Sequence, residues 1–440
     1  MFDGIRQSNE RLITASGLSI VGLLLQKTKL QERLNLHRLK DNAAPHIKNH
    51  EIVFAYIGLL CQGKSDFDHI REMNSDPDFY RIALGIDHIP SSETLRQRLD
   101  MAGGQWRNIL LAENIRILKA TGATLTPCRD EYIPLDIDVS PFDNSGTKKQ
   151  GVARTYQGFD GYAPIFAYVG AEGYLVNTEL RKGSQHCQNH TVPFLKETIL
   201  QAKRLTSTPL LVRLDSGNDS SENIEVCREP ETRCHFIIKR NLRTDSPQMW
   251  LDIAKENGTV THPREGKTVY TGSVQWTLGN LQEKVRIVFR VIERTITADG
   301  QILLVPDLEV ENWLTSLTLP PQDVIELYQD HGTCEQFHSE IKTDMDLERL
   351  PSGKFETNAL ILELAMLAYN ILRVIGQESL KQNDSPLRKP VLRRRLRTVI
   401  SNLVLIATRV VQHARKTYLN LGRSNAWVQT FTRVYEAFAF

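Results

Sequence analysis

The chain of 440 residues is 41% hydrophobic and 24% charged, the balance of a globular protein long enough to bury a core without disulfide or metal staples. Its 54 basic and 52 acidic side chains leave a net charge of +2, which by itself excludes no partner, because the clustering of basic groups matters more than their sum. Six cysteines (Cys61, Cys128, Cys187, Cys227, Cys234, Cys334) without a CxxC pair argue against a disulfide framework, and the early apolar run at 18–25 is far short of the ~20 residues of a membrane span. No basic leader precedes that run, so a cytoplasmic protein is expected.

In chain order, residues 1–125 read as helical. A helix start is legible at Pro90-Ser91-Ser92-Glu93-Thr94-Leu95, where a serine can cap free amides and Leu95 and Leu99 share a face. Asn74-Ser75-Asp76-Pro77-Asp78 reads as a turn. Short helices ending in one that carries Arg96 and Arg98 fit a helix-turn-helix-like DNA reader, and they fit an ordinary helical packing domain equally well.

From about 130 the texture changes. Strands are predicted at 132–139, 163–170 and 174–180, a helix at 190–205 and a buried strand at 209–214, which together suggest an α/β sheet covered by helices. Residues 232–316 are again β-rich, with strands at 236–238, 268–276, 285–292 and 302–304 and a turn at Asp299-Gly300, and are expected to form an all-β insertion. After Leu319-Pro320-Pro321 the chain is expected to be helical to its end. That last part carries the acid-free run Arg388, Lys389, Arg393, Arg394, Arg395 and Arg397. A second basic group, Lys239, Arg240 and Arg243, lies in the insertion.

Two strands carry acids. In Leu135-Asp136-Ile137-Asp138-Val139, alternation puts both aspartates on one face, where they repel unless a cation sits between them. Asp215 ends the apolar run at 210–214 and precedes Ser216-Gly217, and the carboxyl ends of strands are where sites are built in open α/β sheets. A strand-end aspartate before Ser-Gly also serves as a plain turn former. Further on, Tyr328, His331, Glu335 and Lys342 fall within an arc of roughly 60° if the segment is one continuous helix. Gly332 weakens that helix locally.

The last group resembles the Tyr-Arg-Glu-Lys signature of DDE transposases from bacterial insertion sequences, spaced three, four and seven positions apart, with His331 in place of the arginine. The flanks are similar to the insertion-sequence 1380 family. Leu350-Pro351-Ser352, Phe355, Asn358-Ala359 and Leu367-Ala368-Tyr369-Asn370 resemble the stretch after its glutamate, and Trp313-Leu314-Thr315 the stretch before its signature helix. The segments 135–140 and 211–217 resemble its two aspartate strands, so the similarity spans roughly residues 60–375.

The resemblance implies a ribonuclease-H-like catalytic core (126–231 and 317–380) interrupted by the all-β insertion (232–316). A helical N-terminal DNA-binding domain (1–125) lies before it and a basic helical region (381–440) after it. It implies catalytic, metal-binding Asp138, Asp215 and Glu335, with Asp138 preferred because Asp138-Val139-Ser140 matches the motif and Asp136 as the competitor. Two Mg2+ or Mn2+ ions would assist in-line displacement at phosphorus, first by water and then by a DNA 3′-hydroxyl. Tyr328, His331 and Lys342, together with Lys239, Arg240, Arg243, Arg96 and Arg98, are the expected DNA contacts. Double-stranded DNA, as terminal inverted repeats and target, is the expected partner, with a homodimer holding two ends. The alternatives are a nuclease or resolvase that does not join DNA, and a DNA-binding relative without catalysis.

Overall fold

The computed structural model describes residues 2–40, 45–243, 245–279 and 281–439. Among them a nine-stranded sheet runs through the molecule. Its strands are β1 (Ile133–Val139), β2 (Ile165–Val169), β3 (Tyr174–Glu179), β4 (Leu210–Leu214), β5 (His235–Lys239), β6 (Gly258–Arg264), β7 (Lys267–Trp276), β8 (Val285–Ile296) and β9 (Ile302–Thr315). The spatial order is β6-β7-β8-β9-β5-β4-β1-β2-β3. The central strands β1, β4 and β5 run parallel, and β2 and β9 flank them antiparallel. Central parallel strands are covered on both faces, which is why β4 is buried at every position.

The predicted strands in this sheet are present to within a few residues, except β9. Residues 305–315 were missed because Pro306 and the alternating acids Asp307, Glu309 and Glu311 do not read as a strand. Their acidic side chains pair across to Arg294 and Arg290 on β8, so the ladder is held by charge pairs on an exposed face.

The insertion is not all-β. Helix Pro247–Asn257 packs on it, with the Ser246 hydroxyl accepting from the Met249 amide at 3.1 Å and Trp250, Leu251 and Ala254 buried. The Ser-Pro start was a legible cap signal. Nor is the insertion a separate sheet, because β9 pairs with β5, and β5 pairs in parallel with β4 of the core.

Helix Phe355–Glu378 is long and apolar enough to cross a bilayer, but 94% of its apolar window is buried inside the protein. It is the core helix. Helices Asn49–Leu60, Ser92–Ala102 and Arg107–Ala120 pack against it on one side and β3 on another, so these N-terminal helices share one hydrophobic core with the sheet.

The C-terminal region is not wholly helical. Strands Thr408–His413 and Lys416–Leu421 form a hairpin that also pairs with Leu12–Ile13 near the other end of the chain. Its turn is Ala414-Arg415, both with positive φ (50° and 64°), without the Gly or Asn that usually marks such a turn. The hairpin therefore left little trace in the sequence.

Candidate active site

The register of two parallel strands builds the site. Asp136 on β1 pairs with Arg213 on β4, and Ile137 pairs with Leu214. Side chains of register partners project to the same face, so Asp136 lies beside Arg213, and Asp138 comes near Asp215 just past the last paired rung, toward the carboxyl ends. Helix Pro321–Gln329 covers this face through Val324, Ile325 and Leu327, which pack on Leu211 and Ile237. The chain then passes over the strand ends and brings Glu335 to them.

The first rung is internally balanced. Arg213 binds Asp136 through Nε and through Nη2, the latter at 2.7 Å from Oδ2, and both residues are buried. Its Nη1 donates to the Leu327 carbonyl at 2.6 Å, tying the end of the covering helix to the sheet. His331 Nδ1 lies 3.1 Å from Asp136 Oδ1. Although burial opposes it, the Arg213 charge and His331 hold the Asp136 carboxyl below its ordinary range.

The second pair is not balanced. Asp138 Oδ1 accepts from the Val139 amide at 2.8 Å, and Asp215 Oδ1 accepts from the buried Asn218 Nδ2 at 2.7 Å. Among the described residues no lysine or arginine forms an ion pair with Asp138, Asp215 or Glu335; the nearest basic group is His338, with Nδ1 3.9 Å from Asp138 Oδ2. Burial, with the negative charges of Asp215 and Glu335, pushes the Asp138 carboxyl up to about 6. Asp138 and Glu335 line one slot of 320 Å³ together with Ser140, Tyr156, Gln157, His338 and Lys342.

The signature segment is not one continuous helix. A 3-10 turn at Asp330–Thr333 separates Pro321–Gln329 from the α-turns of Cys334–Ser339, and a π turn comes next at Glu340–Asp344. The predicted stripe is therefore split. Glu335 is exposed at the slot and Lys342 is half-buried, with its ammonium 5.7 Å over the Phe142 ring. His331 turns inward, is 7% exposed, and acts as a partner of Asp136 instead of the expected DNA contact. Tyr328 is half-buried between Trp313 and His331.

The segment is pinned from both sides. Gly173, at φ 73°, sits so close to Phe337 that a Cβ there would lie 2.1 Å from the ring, which brings the helix down on the turn between β2 and β3. Glu340 is held by Arg373 and Tyr369, and Asp344 by Arg395 at 2.8 Å and Arg397 at 3.4 Å. Much of the C-terminal basic run is thus spent inside the protein. Arg394 is buried over the Trp427 ring, and Arg393 lies 4.6 Å over Phe337.

Other expected DNA contacts are also engaged. Arg98 is buried and donates to the Ile47 carbonyl and to Asn49. It stands three positions from Leu95 on the buried stripe of its helix, so helical spacing already placed it inward. This corrects its reading as a DNA contact. Arg96 is exposed and paired with Glu93 and Asp100. Arg240 lies 5.7 Å over both Trp250 and Trp276 and pairs with Asp245, so it too is a packing residue. Lys239 pairs with Glu311 at 3.3 Å, and the exposed Arg243 donates to the Asp219 carbonyl.

Two site residues escaped the sequence reading, Tyr156 and His338. Burial, with Lys342 and His331, depresses His338 to about 3, so its ring is neutral, and its buried Nε2 has no partner. Its place three residues after Glu335 on the same short helix was the available signal.

Two donor sets fit a cation differently. Asp136, His331 and Cys334 bring ligand-type atoms within 4.8 Å of one another. The Arg213 guanidinium already occupies both oxygens of that carboxylate, so a metal there would meet a fixed positive charge. Asp138, Asp215 and Glu335 offer only oxygen donors with uncompensated charge, the environment hard divalent cations take. They fit the group.

The molecule is thus an α/β protein whose acidic site stands at the carboxyl ends of adjacent parallel strands. A family model described as transposase DDE domain group 1 matches residues 5–439, and the chain belongs to that family of transposases. One similar solved structure is a piggyBac transposase synaptic complex with hairpin DNA, at 10% identity and a TM-score of 0.40, covering 82% of this chain and 75% of that one. None of the curated proteins matches.

Proposed function

We propose that this transposase cleaves DNA at transposon ends and joins them to target DNA, using Asp138, Asp215 and Glu335 to hold divalent cations, Mg2+ or Mn2+ and two in number. The observation that carries this reading is the acidic cluster, Asp138 beside Asp215 with Glu335 at the same strand ends and, among the described residues, no lysine or arginine paired to any of them. A first aspartate on the central strand, a second at the end of its neighbour and a glutamate on a later helix support a ribonuclease-H-like core and membership in the bacterial insertion-sequence 1380 group. Asp138 is preferred over Asp136 because Asp136 is neutralised by Arg213.

A cation bound to these carboxylates supplies Lewis-acid activation of the attacking oxygen and stabilises charge on the leaving one. The chain itself orients the groups. Asn218 fixes one Asp215 oxygen, and the Val139 amide fixes one Asp138 oxygen. Lys342, drawn below its ordinary range by burial yet facing the same slot, is placed to meet a phosphate oxygen. Arg96 and Arg243, both exposed, are the outer DNA contacts, and Lys239 and Tyr328 contribute from partly exposed positions. Two copies would hold two double-stranded ends, acting on DNA in the cytoplasm.

The test is cleavage and strand transfer with Mg2+ or Mn2+ on the inverted repeats that flank the gene, comparing wild type with Asp138→Ala, Asp215→Ala and Glu335→Ala. Each variant is expected to lose at least about a hundredfold in cleavage, as removing a ligand should exceed the effect of removing its outer partner, while binding DNA normally. Cut but unjoined products would favour a nuclease. Binding without cutting under either metal would make the chain a DNA-binding relative. Activity surviving in Asp138→Ala but not in Asp136→Ala would move the first carboxylate to Asp136.

A further inference from the structure

Between β1 and β2 the chain leaves the main sheet and forms a small three-stranded one from Phe142–Asp143, Ala153–Arg154 and Asp160–Tyr162. The connection between its last two strands carries Tyr156 and Gln157 into the wall of the slot shared by Asp138, Glu335 and Lys342. That connection is firmly built. The Thr155 amide and hydroxyl both donate to the Phe159 carbonyl at 2.8 Å, and the Gly158 amide donates back to Thr155 at 3.0 Å.

The two ends of Tyr156 have different surroundings. Its hydroxyl donates to the Val139 carbonyl at 3.4 Å, one residue from Asp138. Burial of that end and the charges of Asp138 and Asp215 push the phenol up to about 12, so it remains a neutral donor. The residue as a whole is nevertheless 70% exposed, among the more exposed large aromatics of the protein. Tyr328, the aromatic expected at the DNA, instead rests on Trp313 and His331. Tyr156 thus offers a fixed aromatic face at the rim of the acidic slot, with no core to serve. A flat ring in such a place accepts a nucleobase whatever its identity, because every base has a π-face.

We propose that Tyr156 stacks on an unpaired base of the DNA end whose phosphate lies at Asp138, and so favours ends with an opened or single-stranded terminal nucleotide. This rests on the DNA-processing function proposed above. The ring does the stacking, and the hydroxyl only aims it.

The experiment uses full-length protein in EDTA, so that no catalysis intervenes. Binding is compared for a duplex with a short 3′ overhang carrying 2-aminopurine and for the same duplex blunt-ended. Wild type is expected to quench the 2-aminopurine and to prefer the overhang. Tyr156→Ala should bind the overhang about tenfold more weakly, the loss of one base–aromatic stack, with no quenching and unchanged blunt-end binding. Tyr156→Phe and Tyr156→Trp should keep both preference and quenching. Overhang binding by Tyr156→Ala equal to wild type would overturn the proposal, as would Tyr156→Phe failing like Tyr156→Ala, which would assign the effect to the hydroxyl. Wild type that binds both duplexes without quenching overturns the stacking alone. Wild type that binds neither overturns the proposed function and this inference with it.

Discussion

Two places on one parallel strand pair, two residues apart, take opposite courses: the first is a rung of the ladder and the second lies just past its last rung. At Asp136–Arg213 a buried carboxylate meets a buried guanidinium and a histidine, and the charges close on themselves. Beside Asp138 and Asp215 two carboxylates meet, and Glu335 adds a third acid where solvent begins. The difference teaches where the fold keeps electrostatic tension. Burying an unbalanced charge is costly, so the inner rung is neutralised, while the outer pair stays unbalanced at the edge where a cation can enter.

The comparison can be broken most severely at the inner rung. Arg213→Met leaves Asp136 buried with only His331 and also releases the Leu327 carbonyl. Chemical denaturation should show a loss of about 3–5 kcal/mol. The double variant Asp136→Leu with Arg213→Met should recover most of it, because removing both charges avoids the unpaired one. If Arg213→Met alone unfolds no more easily than wild type, the inner rung is not an ion pair of the kind described.

The outer pair should respond in the opposite direction. The Asp138 carboxyl is raised from its ordinary value of 3.8 to about 6, so its ionisation opposes folding. Stability contributed by the protonated form is present below the unfolded value and is lost as pH rises through about 6. In EDTA, Asp138→Asn should therefore be more stable than wild type at pH 7.5 by about 1–3 kcal/mol. The gain should shrink below pH 6 and vanish below about pH 4. Thermal melts across that range decide it, and a variant no more stable than wild type at pH 7.5 would show that burial and the neighbouring acids do not oppose ionisation of Asp138. A smaller effect sharpens the same contrast. Asn218→Ala removes the side chain that orients Asp215, and Mn2+ affinity measured by calorimetry on the protein alone should fall about tenfold.

Much of this site was legible in residue order. Alternation in Leu135-Asp136-Ile137-Asp138-Val139 placed both aspartates on one face, and the apolar run before Asp215 placed it at a strand end. What alternation could not say was which aspartate has a partner, because Arg213 lies 77 residues away from Asp136 and meets it only through strand register. Arg98 shows the reverse case, since its spacing from Leu95 and Leu99 already announced burial and the DNA reading of it ignored that signal. The basic run at 393–397 carries no acid of its own in sequence. Its acidic partner, Asp344, and its aromatic partners, Phe337 and Trp427, are distant in sequence.

By itself the sequence determined the elements whose signals are local: most strands of the central sheet, the capped helix at Ser91, and three acids in settings that mark a site. Periodicity, capping and strand ends depend on near neighbours along the chain, so they can be read without the fold. Tertiary structure alone decided the pairing of charges, the π turn that ends the signature segment, and the C-terminal hairpin turned by Ala414-Arg415. These depend on which distant groups meet in a low-dielectric interior, where one guanidinium makes the difference between a neutral carboxylate pair and an unbalanced one.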